Sequence, residues 1–373
     1  MRIPAILTFV ASVACGGDTN APSAPPPPPV ATQATRDSTF VAAVRAQLNA
    51  LTQAEQFSGA VLVTRDGQTV FEGAYGLANR EQNVPNTLFT QFRVGSMNKM
   101  LTAVAVMQLV QAGTLRLEGT LGMYIPDYPN ADMASKVTIH HLLTHTGGTG
   151  DIFGPAFNTN RLALRTPGDY LALYGTRNLQ FQPGTQWAYS NYGFMLLGAI
   201  IERVTGKSYY DVVAERIHAP AQMIATASAP EDSSVAGRSV GYMRQGGAVL
   251  MSNAPTLPYR GTPAGGGYST VGDLAQFAVA LREHKLLDQT HTALLLSGKV
   301  PMSPGEQYAY GFIDRVVGGR RFVGHSGGAA GMNGDLMFEP NGGYVVVVLS
   351  NFDPPVATQM SSFITERLPA TTK

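Results

Sequence analysis

The sequence predicts an α+β fold (α/β in the broad sense) in which one antiparallel sheet, built from both ends of the chain, is flanked by terminal helices. Three observations lead to this prediction. Strand-like apolar runs occupy residues 59–73 and 308–349, whereas the segment between them carries mainly helical periodicity. Helical patterns also precede the first run, at 38–52, and follow the last, at 355–368. Because sheets bury their faces under helices, the middle of the chain is predicted to be a mostly helical insertion.

Turn signals divide these runs into strands. The first region is predicted to be a hairpin, 59–64 and 69–73, joined through Asp66-Gly67, a pair that favours tight turns. The predicted C-terminal strands are 308–317, 321–324, 334–338 and 344–349. The predicted helices of the insertion are 96–113, 138–144, 168–175, 190–205, 208–218 and 270–283, the last with Thr270 and Asp273 placed as a capping box.

Composition and charge narrow the class of protein. The chain has 373 residues, of which 44% are hydrophobic and 14% charged, so it can bury a substantial core. A formal net charge of +1, without a basic run, gives no reason to expect a nucleic acid as partner.

The N-terminus carries the features of a targeting segment. Arg2 precedes an apolar run at 3–14, which is shorter than the ~20 residues that span a bilayer. Cys15, the only cysteine, follows this run and resembles a bacterial lipoprotein processing site. We therefore expect lipidation of Cys15 and a location in the cell envelope or periplasm, with ordinary secretion after Ala14 as the alternative. A single cysteine excludes an internal disulfide.

The chain is predicted to comprise four parts. Residues 1–15 form the targeting region, and the proline-rich residues 16–36 form an extended linker. The sheet domain is assigned to 37–95 together with 301–373, and the helical domain to 96–300.

The most informative motif is Ser96-Met97-Asn98-Lys99, at the start of a predicted helix. Side chains three residues apart share a helix face, so the Lys99 amine can take the proton of the Ser96 hydroxyl and make it a nucleophile. The residues that follow are nearly all apolar, which predicts a buried helix. A buried ammonium is costly unless it is neutralised or hydrogen-bonded, so a catalytic role explains Lys99 better than a solvated surface position does.

A second candidate segment contains Tyr189 and Asn191, which can point the same way in an irregular stretch. A phenol next to an ammonium is expected to have a lowered pKa and to pass a proton, while an amide can bind both a substrate carbonyl and the lysine. A third segment, 323–331, follows or ends a predicted strand and is rich in glycine. Its backbone N–H groups can hold a developing oxyanion together with that of Ser96.

Other catalytic arrangements fit less well. Gly324-x-Ser326-x-Gly328 matches the nucleophile elbow of α/β-hydrolases, but that fold needs a histidine after the serine and none follows here. A chymotrypsin-like order predicts β-barrels, which the helical middle contradicts. His141 and His145 have zinc-ligand spacing, yet no glutamate follows His141, so we expect structural hydrogen bonds from both.

Three motifs, taken in order, resemble those of the penicillin-recognising serine hydrolases, the superfamily of serine β-lactamases, penicillin-binding proteins and related esterases. They are Ser96-x-x-Lys99, Tyr189-x-Asn191 and His325-x-Gly327. Tyr-x-Asn in second place is similar to class C β-lactamases, DD-carboxypeptidases and family VIII esterases. The resemblance covers residues from about 40 to 370, including family-like stretches at 138–147 and 264–270. It implies a β-lactamase-like fold with the active site in a cleft between the helical and sheet domains.

The resemblance also implies roles for the site residues, without a metal or cofactor. Ser96 would form an acyl-enzyme, and Lys99 and Tyr189 would manage its protons. The implied substrate-binding residues are Asn191, His325, Ser326 and Gly327, and the implied oxyanion hole is made by the N–H groups of Ser96 and Gly328. The implied partner is a small molecule or short peptide whose amide or ester acyl bond is hydrolysed.

One departure from the family pattern affects the substrate. His325 stands where β-lactamases usually have a lysine thought to hold the β-lactam carboxylate, and imidazole is mostly neutral at pH 7. A D-Ala-D-Ala-type peptide or a small ester is therefore at least as well supported as a β-lactam. A non-hydrolytic penicillin- or peptidoglycan-peptide-binding protein of the same fold is the alternative, against which the intact Ser96, Lys99 and Tyr189 argue.

Overall fold

The computed structural model describes residues 33–244 and 249–370. The predicted targeting region with Cys15, and all but the last four residues of the predicted linker, lie outside these ranges. The first helix begins at Gln33, five residues earlier than predicted. Within the described residues, no helix is both long and apolar enough to cross a membrane.

The strands and helices alternate in an order close to the predicted one. The strands are β1 (Gly59–Arg65), β2 (Gln68–Tyr75), β3 (Leu77–Asn79), β4 (Val84–Pro85), β5 (Phe92–Arg93), β6 (Tyr242–Arg244), β7 (Leu250–Ser252), β8 (Tyr268–Ser269), β9 (Val300–Ser303), β10 (Glu306–Tyr308), β11 (Ile313–Val317), β12 (Arg320–Ala329), β13 (Met332–Phe338) and β14 (Tyr344–Ser350). The helices are α1 (Gln33–Gln53), α2 (Asn98–Gln111), α3 (Leu121–Tyr124), α4 (Ala131–Lys136), α5 (Ile139–Leu143), α6 (Pro155–Asn160), α7 (Pro167–Tyr174), α8 (Asn191–Thr205), α9 (Tyr209–Val213), α10 (Val271–Arg282), α11 (Gln289–Leu296) and α12 (Val356–Thr365). Short 3-10 turns lie at Gly95–Met97 and Ala254–Thr256, and a π-helical segment, Ala214–His218, continues α9.

The main sheet joins the two ends of the chain. Its strand order is β2-β1-β14-β13-β12-β11-β10-β9, and every neighbouring pair is antiparallel. The central pairing of β1 with β14 runs from Gly59 opposite Ser350 to Arg65 opposite Tyr344. The predicted sheet from both chain ends is therefore confirmed.

Both faces of the central strands are buried. In β14, Tyr344, Val346 and Val348 pack with α1 and α12, while Val345 and Val347 face the larger core on the other side. Because successive strand residues point to opposite faces, a strand that is covered on both sides reads as one continuous apolar run. The larger core includes α10, which packs against β1, β13 and β14 although it lies in the predicted helical insertion.

Helix α2 runs through the larger core, as its apolar sequence predicts. Each residue from 98 to 107 is buried, and α8, α9 and α11 pack around it. A helix that is hydrophobic on all sides is stable only inside a domain, so the surroundings of α2 form a dry environment for Lys99 at its first turn.

Several elements differ from the prediction in extent or partner. The predicted strand 308–317 is two strands, because the chain turns at Gly311, where φ is +70°. Thr270 caps α10 as predicted, but the Asp273 carboxylate accepts from Ala225 N and Thr226 Oγ1 instead of completing the capping box. The helices absent from the prediction are α3, α4, α6 and α11, and the strands absent from it are the short strands β3 to β9.

Candidate active site

Ser96 lies at the junction between the sheet and helix α2. It belongs to the 3-10 turn Gly95–Met97, which leads into α2, and it is partly exposed. Gly95 has φ +52°, in the left-handed region that glycine favours. A Cβ on Gly95 would come within 3.0 Å of Gly328 N. The glycine therefore allows the turn to lie against strand β12.

Lys99 is completely buried beside Ser96. Its Nζ lies 2.7 Å from Asn191 Oδ1, 2.5 Å from the Ala264 carbonyl oxygen and 3.3 Å from Ser96 Oγ. A neutral amine has two N–H groups to donate and one lone pair. The two acceptors, Asn191 Oδ1 and Ala264 O, take both N–H groups, which leaves the lone pair for the proton of the Ser96 hydroxyl.

Burial brings this amine close to neutrality at physiological pH. The loss of solvent lowers the pKa of Lys99 to about 7, and the Asp151 carboxylate opposes this shift. A large share of Lys99 is therefore free base at pH 7, which is the form that accepts a proton.

Asp151 orients the amide of Asn191, and our sequence reasoning missed it. Asp151 Oδ2 accepts from Asn191 Nδ2 at 3.1 Å, and Asp151 Oδ1 accepts from the backbone N–H of Asn191 at 3.2 Å. A carboxylate can only accept, so the NH₂ group of Asn191 must face Asp151 and its oxygen must face Lys99. The available signal was an acidic residue four positions after Gly147, the last residue of the family-like stretch.

Tyr189 lies over Lys99, and its ionisation differs from the prediction. The ring centroid is 4.6 Å from Lys99 Nζ, and the phenol hydrogen-bonds with Ser96. The expected lowering of the Tyr189 pKa by an ammonium is wrong. Burial raises the pKa well above 10, the Ser96 hydrogen bond only partly offsets this, and Asp151 raises it further. Tyr189 therefore keeps its proton and is a donor in this site.

Ser190, which lies between Tyr189 and Asn191, explains why these two residues face the same site. Ser190 is the N-cap of α8, and its Oγ accepts from Gly193 N at 2.9 Å. The same hydroxyl donates to the Gly150 carbonyl oxygen at 2.5 Å. With Ser190 turned inward as a cap, its two neighbours both reach Lys99, as the two-residue spacing predicts.

Strand β12 places Gly328 against the turn that carries Ser96. A Cβ on Gly327 would overlap with the Val94 carbonyl oxygen and come within 3.0 Å of Ser96 N. Only glycine allows so close an approach, which brings strand β12 against the turn that carries Ser96, and both Ser96 and Gly328 line the cavity. Asn333 Nδ2 donates to Gly327 O at 2.9 Å and supports this part of the strand.

The structure corrects the predicted role of His325. Its side chain is buried, with Nε2 3.0 Å from Tyr308 Oη and Nδ1 2.5 Å from the Ser326 carbonyl oxygen. Burial and the nearby Lys99 lower the pKa of His325 to about 3. The imidazole therefore offers a substrate neither a positive charge nor a free nitrogen. Ser326 and Gly327 do not line the cavity, and their contacts with a substrate stay predictions.

The other two histidines make the structural hydrogen bonds that we expected. His141 caps α5, exchanging hydrogen bonds with Thr138. His145 accepts from Ser190 N at 3.1 Å through Nδ1, and its Nε2 lies 2.9 Å from Tyr308 Oη.

A cavity of about 350 Å³ opens next to Ser96. Ser96, Tyr189, Asn191 and Gly328 line one side of it. The apolar part of its wall is formed by Ile152, Phe153, Phe157, Tyr170, Leu257 and Met332. Among the lining residues that the structure describes there is no lysine, arginine or histidine, and Asp151 is the one acidic side chain. The structure thus brings together the predicted Ser96, Lys99, Tyr189, Asn191 and Gly328, and leaves His325 outside.

These features define the class: a nucleophile and a buried amine one helical turn apart, between an antiparallel sheet and a helical layer, as in the penicillin-recognising serine hydrolases. The model of the beta-lactamase family matches residues 42–367. The chain therefore belongs to the beta-lactamase family, whose members are serine hydrolases.

Three similar proteins illustrate the range of this family. The chain is 37% identical to the esterase EstB of Burkholderia gladioli over 163 residues, which are 40% of this chain and 41% of EstB. The crystal structure of a penicillin-binding protein from Bacillus halodurans is 30% identical, with a TM-score of 0.78 and coverage of 86% of this chain and 99% of that one. A D-stereospecific amidohydrolase from Streptomyces is 27% identical, with a TM-score of 0.71 and coverage of 86% and 97%.

Replacing Gly327 tests the close approach of strand β12 to Ser96. In Gly327→Ala the methyl group must displace the Val94 carbonyl or the strand, so kcat/KM with an activated ester should fall by at least about 100-fold. The matched control is Gly272→Ala in the first turn of α10, where a Cβ meets nothing nearer than Thr270 Oγ1 at 3.7 Å. The control should keep wild-type activity, and a fully active Gly327→Ala protein would contradict the argument.

The pKa of Lys99 predicts the pH dependence of acylation. The neutral amine is the base, and its fraction falls as pH drops below about 7, so kcat/KM should decline about tenfold per pH unit on the acid side and level off above. Steady-state assays between about pH 5 and about pH 9 measure this profile. Lys99→Arg, whose guanidinium stays charged, should lose activity across the range. A flat wild-type profile on the acid side would exclude Lys99 as the base.

Proposed function

We propose that this protein is a serine hydrolase that forms an acyl-enzyme on Ser96 with an uncharged ester or amide. The observation that carries the proposal is the arrangement around Lys99 Nζ, which donates to Asn191 Oδ1 and Ala264 O and lies 3.3 Å from Ser96 Oγ, so that the lone pair of the neutral amine is left for the Ser96 proton. A buried lysine with this geometry and a pKa of about 7 has no structural need that a hydrophobic residue would not meet better.

Acylation proceeds through three proton transfers. The Ser96 proton passes to Lys99 Nζ as Oγ attacks the substrate carbonyl, and the resulting oxyanion is held by the N–H groups of Ser96 and Gly328. The bond to the leaving group then breaks as that group takes the phenolic proton of Tyr189. Tyr189 recovers a proton from the Lys99 ammonium, which returns the amine to its neutral form.

Deacylation reverses these steps with water in place of the leaving group. Water passes a proton to the Lys99–Tyr189 pair as it attacks the carbonyl of the acyl-enzyme ester. Ser96 Oγ then leaves with a proton from the same pair. We assign Asn191 to the binding of the acyl side of the substrate. Its amide has a fixed direction for this role because of its hydrogen bonds with Asp151.

The charge of the cavity supports substrates without a carboxylate near the scissile bond. The described lining residues supply no cation, His325 is neutral and buried, and Asp151 is the one acidic side chain among them. A carboxylate next to the reacting carbonyl would be desolvated without a partner, which disfavours β-lactams and D-Ala-D-Ala-type peptides. The apolar wall fits a hydrophobic acyl group, and similarity to an esterase and to an amidohydrolase supports the same substrate class.

We also propose a location in the cell envelope, through lipidation of Cys15 or through secretion. The proposal is supported by the apolar run that precedes Cys15 and by similarity to penicillin-binding proteins.

Covalent labelling tests the nucleophile and its base. A fluorophosphonate probe should label the wild-type protein and leave Ser96→Ala unlabelled, because only the Ser96 oxygen is activated. Lys99→Ala should slow labelling by at least about 100-fold, as expected for the loss of general-base catalysis. Unchanged labelling of either variant would contradict the assigned roles. A wild-type protein that is labelled but never turns over esters would instead support the non-hydrolytic alternative.

Two esters of equal length test the charge preference. p-Nitrophenyl pentanoate should be hydrolysed with a kcat/KM at least about 10-fold higher than the mono-p-nitrophenyl ester of glutarate, because burial of one unpaired carboxylate costs at least about 1.4 kcal/mol. Thr256, an exposed residue of the cavity wall, allows a matched pair of variants. Thr256→Lys should narrow the difference in kcat/KM between the two esters, because it supplies a cation for the carboxylate. Thr256→Gln, which supplies none, should leave that difference unchanged. Equal rates with both esters in the wild-type protein would contradict the preference.

A further inference from the structure

A chain of hydrogen bonds crosses the core behind the active site, and the mechanism above does not use it. His145 Nε2 lies 2.9 Å from Tyr308 Oη, which lies 3.0 Å from His325 Nε2. At the two ends, Ser190 N donates to His145 Nδ1 at 3.1 Å, and His325 Nδ1 lies 2.5 Å from the Ser326 carbonyl oxygen. The three side chains are at most 3% exposed.

The two backbone groups determine where every proton in this chain resides. A backbone N–H can only donate, so His145 Nδ1 is the acceptor and His145 Nε2 carries the hydrogen. A backbone carbonyl can only accept, so His325 carries its hydrogen on Nδ1 and accepts on Nε2. Tyr308 then accepts from His145 and donates to His325. Each donor has one acceptor, and the two imidazoles are opposite neutral tautomers.

One end of this chain of hydrogen bonds, His145, holds the loop that carries Tyr189. His145 contacts this loop at three points: its carbonyl oxygen accepts from Ala188 N at 3.0 Å, its Nδ1 accepts from Ser190 N, and its ring lies 4.3 Å from the Tyr189 ring. His145 itself has φ +60°, which is uncommon outside glycine and indicates a tightly determined position.

The other end of this chain of hydrogen bonds, His325, lies in strand β12, three residues before Gly328. His325 is therefore part of the strand that supplies an oxyanion-hole N–H, while His145 supports the loop with the proton donor Tyr189. Tyr308, at the end of β10, connects these two walls of the site across the core.

We propose that His145, Tyr308 and His325 are positioning residues that hold Tyr189 and Asn191 in register with the oxyanion hole of strand β12. This inference rests on the proposed acylation of Ser96. It assigns a purpose to the His325-x-Gly327 motif that does not involve substrate contact. It also explains His145, which the proposed proton transfers leave without a role.

The neutrality of the chain suits its place beside Lys99. Burial, the Lys99 amine and His325 lower the pKa of His145, and burial and Lys99 lower that of His325 to about 3. The groups packed against His145 are otherwise the rings of Trp187, Tyr189, Phe194 and Tyr308. The chain thus fixes geometry without adding a positive charge next to the base.

A matched pair of tyrosine variants tests the positioning role. Tyr308→Phe removes the central hydroxyl of the chain and keeps the ring. Tyr310→Phe removes the hydroxyl of a buried tyrosine that pairs with His140 Nδ1 of helix α5 at 2.8 Å, and neither of these two residues lines the cavity. Tyr308→Phe removes two tyrosine–histidine hydrogen bonds and Tyr310→Phe removes one, so both should lower the melting temperature, Tyr308→Phe by the larger amount.

The two variants should differ in catalysis. Pre-steady-state acylation with p-nitrophenyl butyrate should slow about 10-fold to 100-fold in Tyr308→Phe with KM nearly unchanged, because the reacting groups lose alignment while the apolar wall is intact. Tyr310→Phe should acylate at the wild-type rate. A Tyr308→Phe protein with the wild-type acylation rate would overturn the proposal, and so would an equal loss in both variants.

A measurement on the unmodified protein tests the chain itself, even where Tyr308→Phe fails to fold. Imidazole ¹⁵N chemical shifts should show His145 with its hydrogen on Nε2 and His325 with its hydrogen on Nδ1, both unchanged between about pH 5 and about pH 9. Identical tautomers, or titration of either ring in this range, would overturn the proposal. The measurement of these chemical shifts needs no substrate. A protein that shows no acylation would therefore count against the proposed function, while the observed tautomers would still test the chain of hydrogen bonds.

Discussion

The buried amine of Lys99 is the interaction on which the rest of the site depends. An ammonium inside a dry helical core is costly, and the surrounding residues reduce that cost by favouring the neutral amine and giving its two N–H groups acceptors. Each acceptor is itself held in place, Asn191 by its hydrogen bonds with Asp151 and Ala264 by the backbone hydrogen bonds between its neighbours Thr262 and Gly265. A change in any of these contacts alters the direction of the lone pair, and with it the reactivity of Ser96.

Sequence reasoning found the parts of the site whose placement follows from local geometry. Ser96 and Lys99 share a helix face, and Tyr189 and Asn191 flank a capping serine, so spacing alone predicts their meeting. It failed where the outcome depends on burial or on distant partners. The direction of the His325 ring is set by Tyr308, in another strand, and the pKa of Tyr189 is set by the loss of solvent, neither of which a motif records. Asp151 and the short elements α3, α4, α6 and β9 have too few residues for a periodic signal.

The third motif shows how a shared frame can support different electrostatics. Strand β12 has the glycines that allow close approach to Ser96, and with them the backbone geometry that the proposed oxyanion hole requires. His325, the first residue of the motif, makes a hydrogen bond with Tyr308 inside the core and presents no positive charge to the cavity. The scaffold of the beta-lactamase family therefore tolerates a change in the charge presented to the substrate without a change in the arrangement of the nucleophile and its base.

The pairing of β1 with β14 has a consequence for the order in which the protein can mature. Gly59 and Ser350 are neighbours in the sheet, although nearly the whole described chain separates them. Contacts between such remote segments close late in folding, and β12, with its oxyanion donor, is held in place by β13 and β14. A nascent chain still emerging from the ribosome, or one cut short by degradation, therefore lacks the strand that lies against Ser96, so the proposed hydrolase activity depends on synthesis of the final strands.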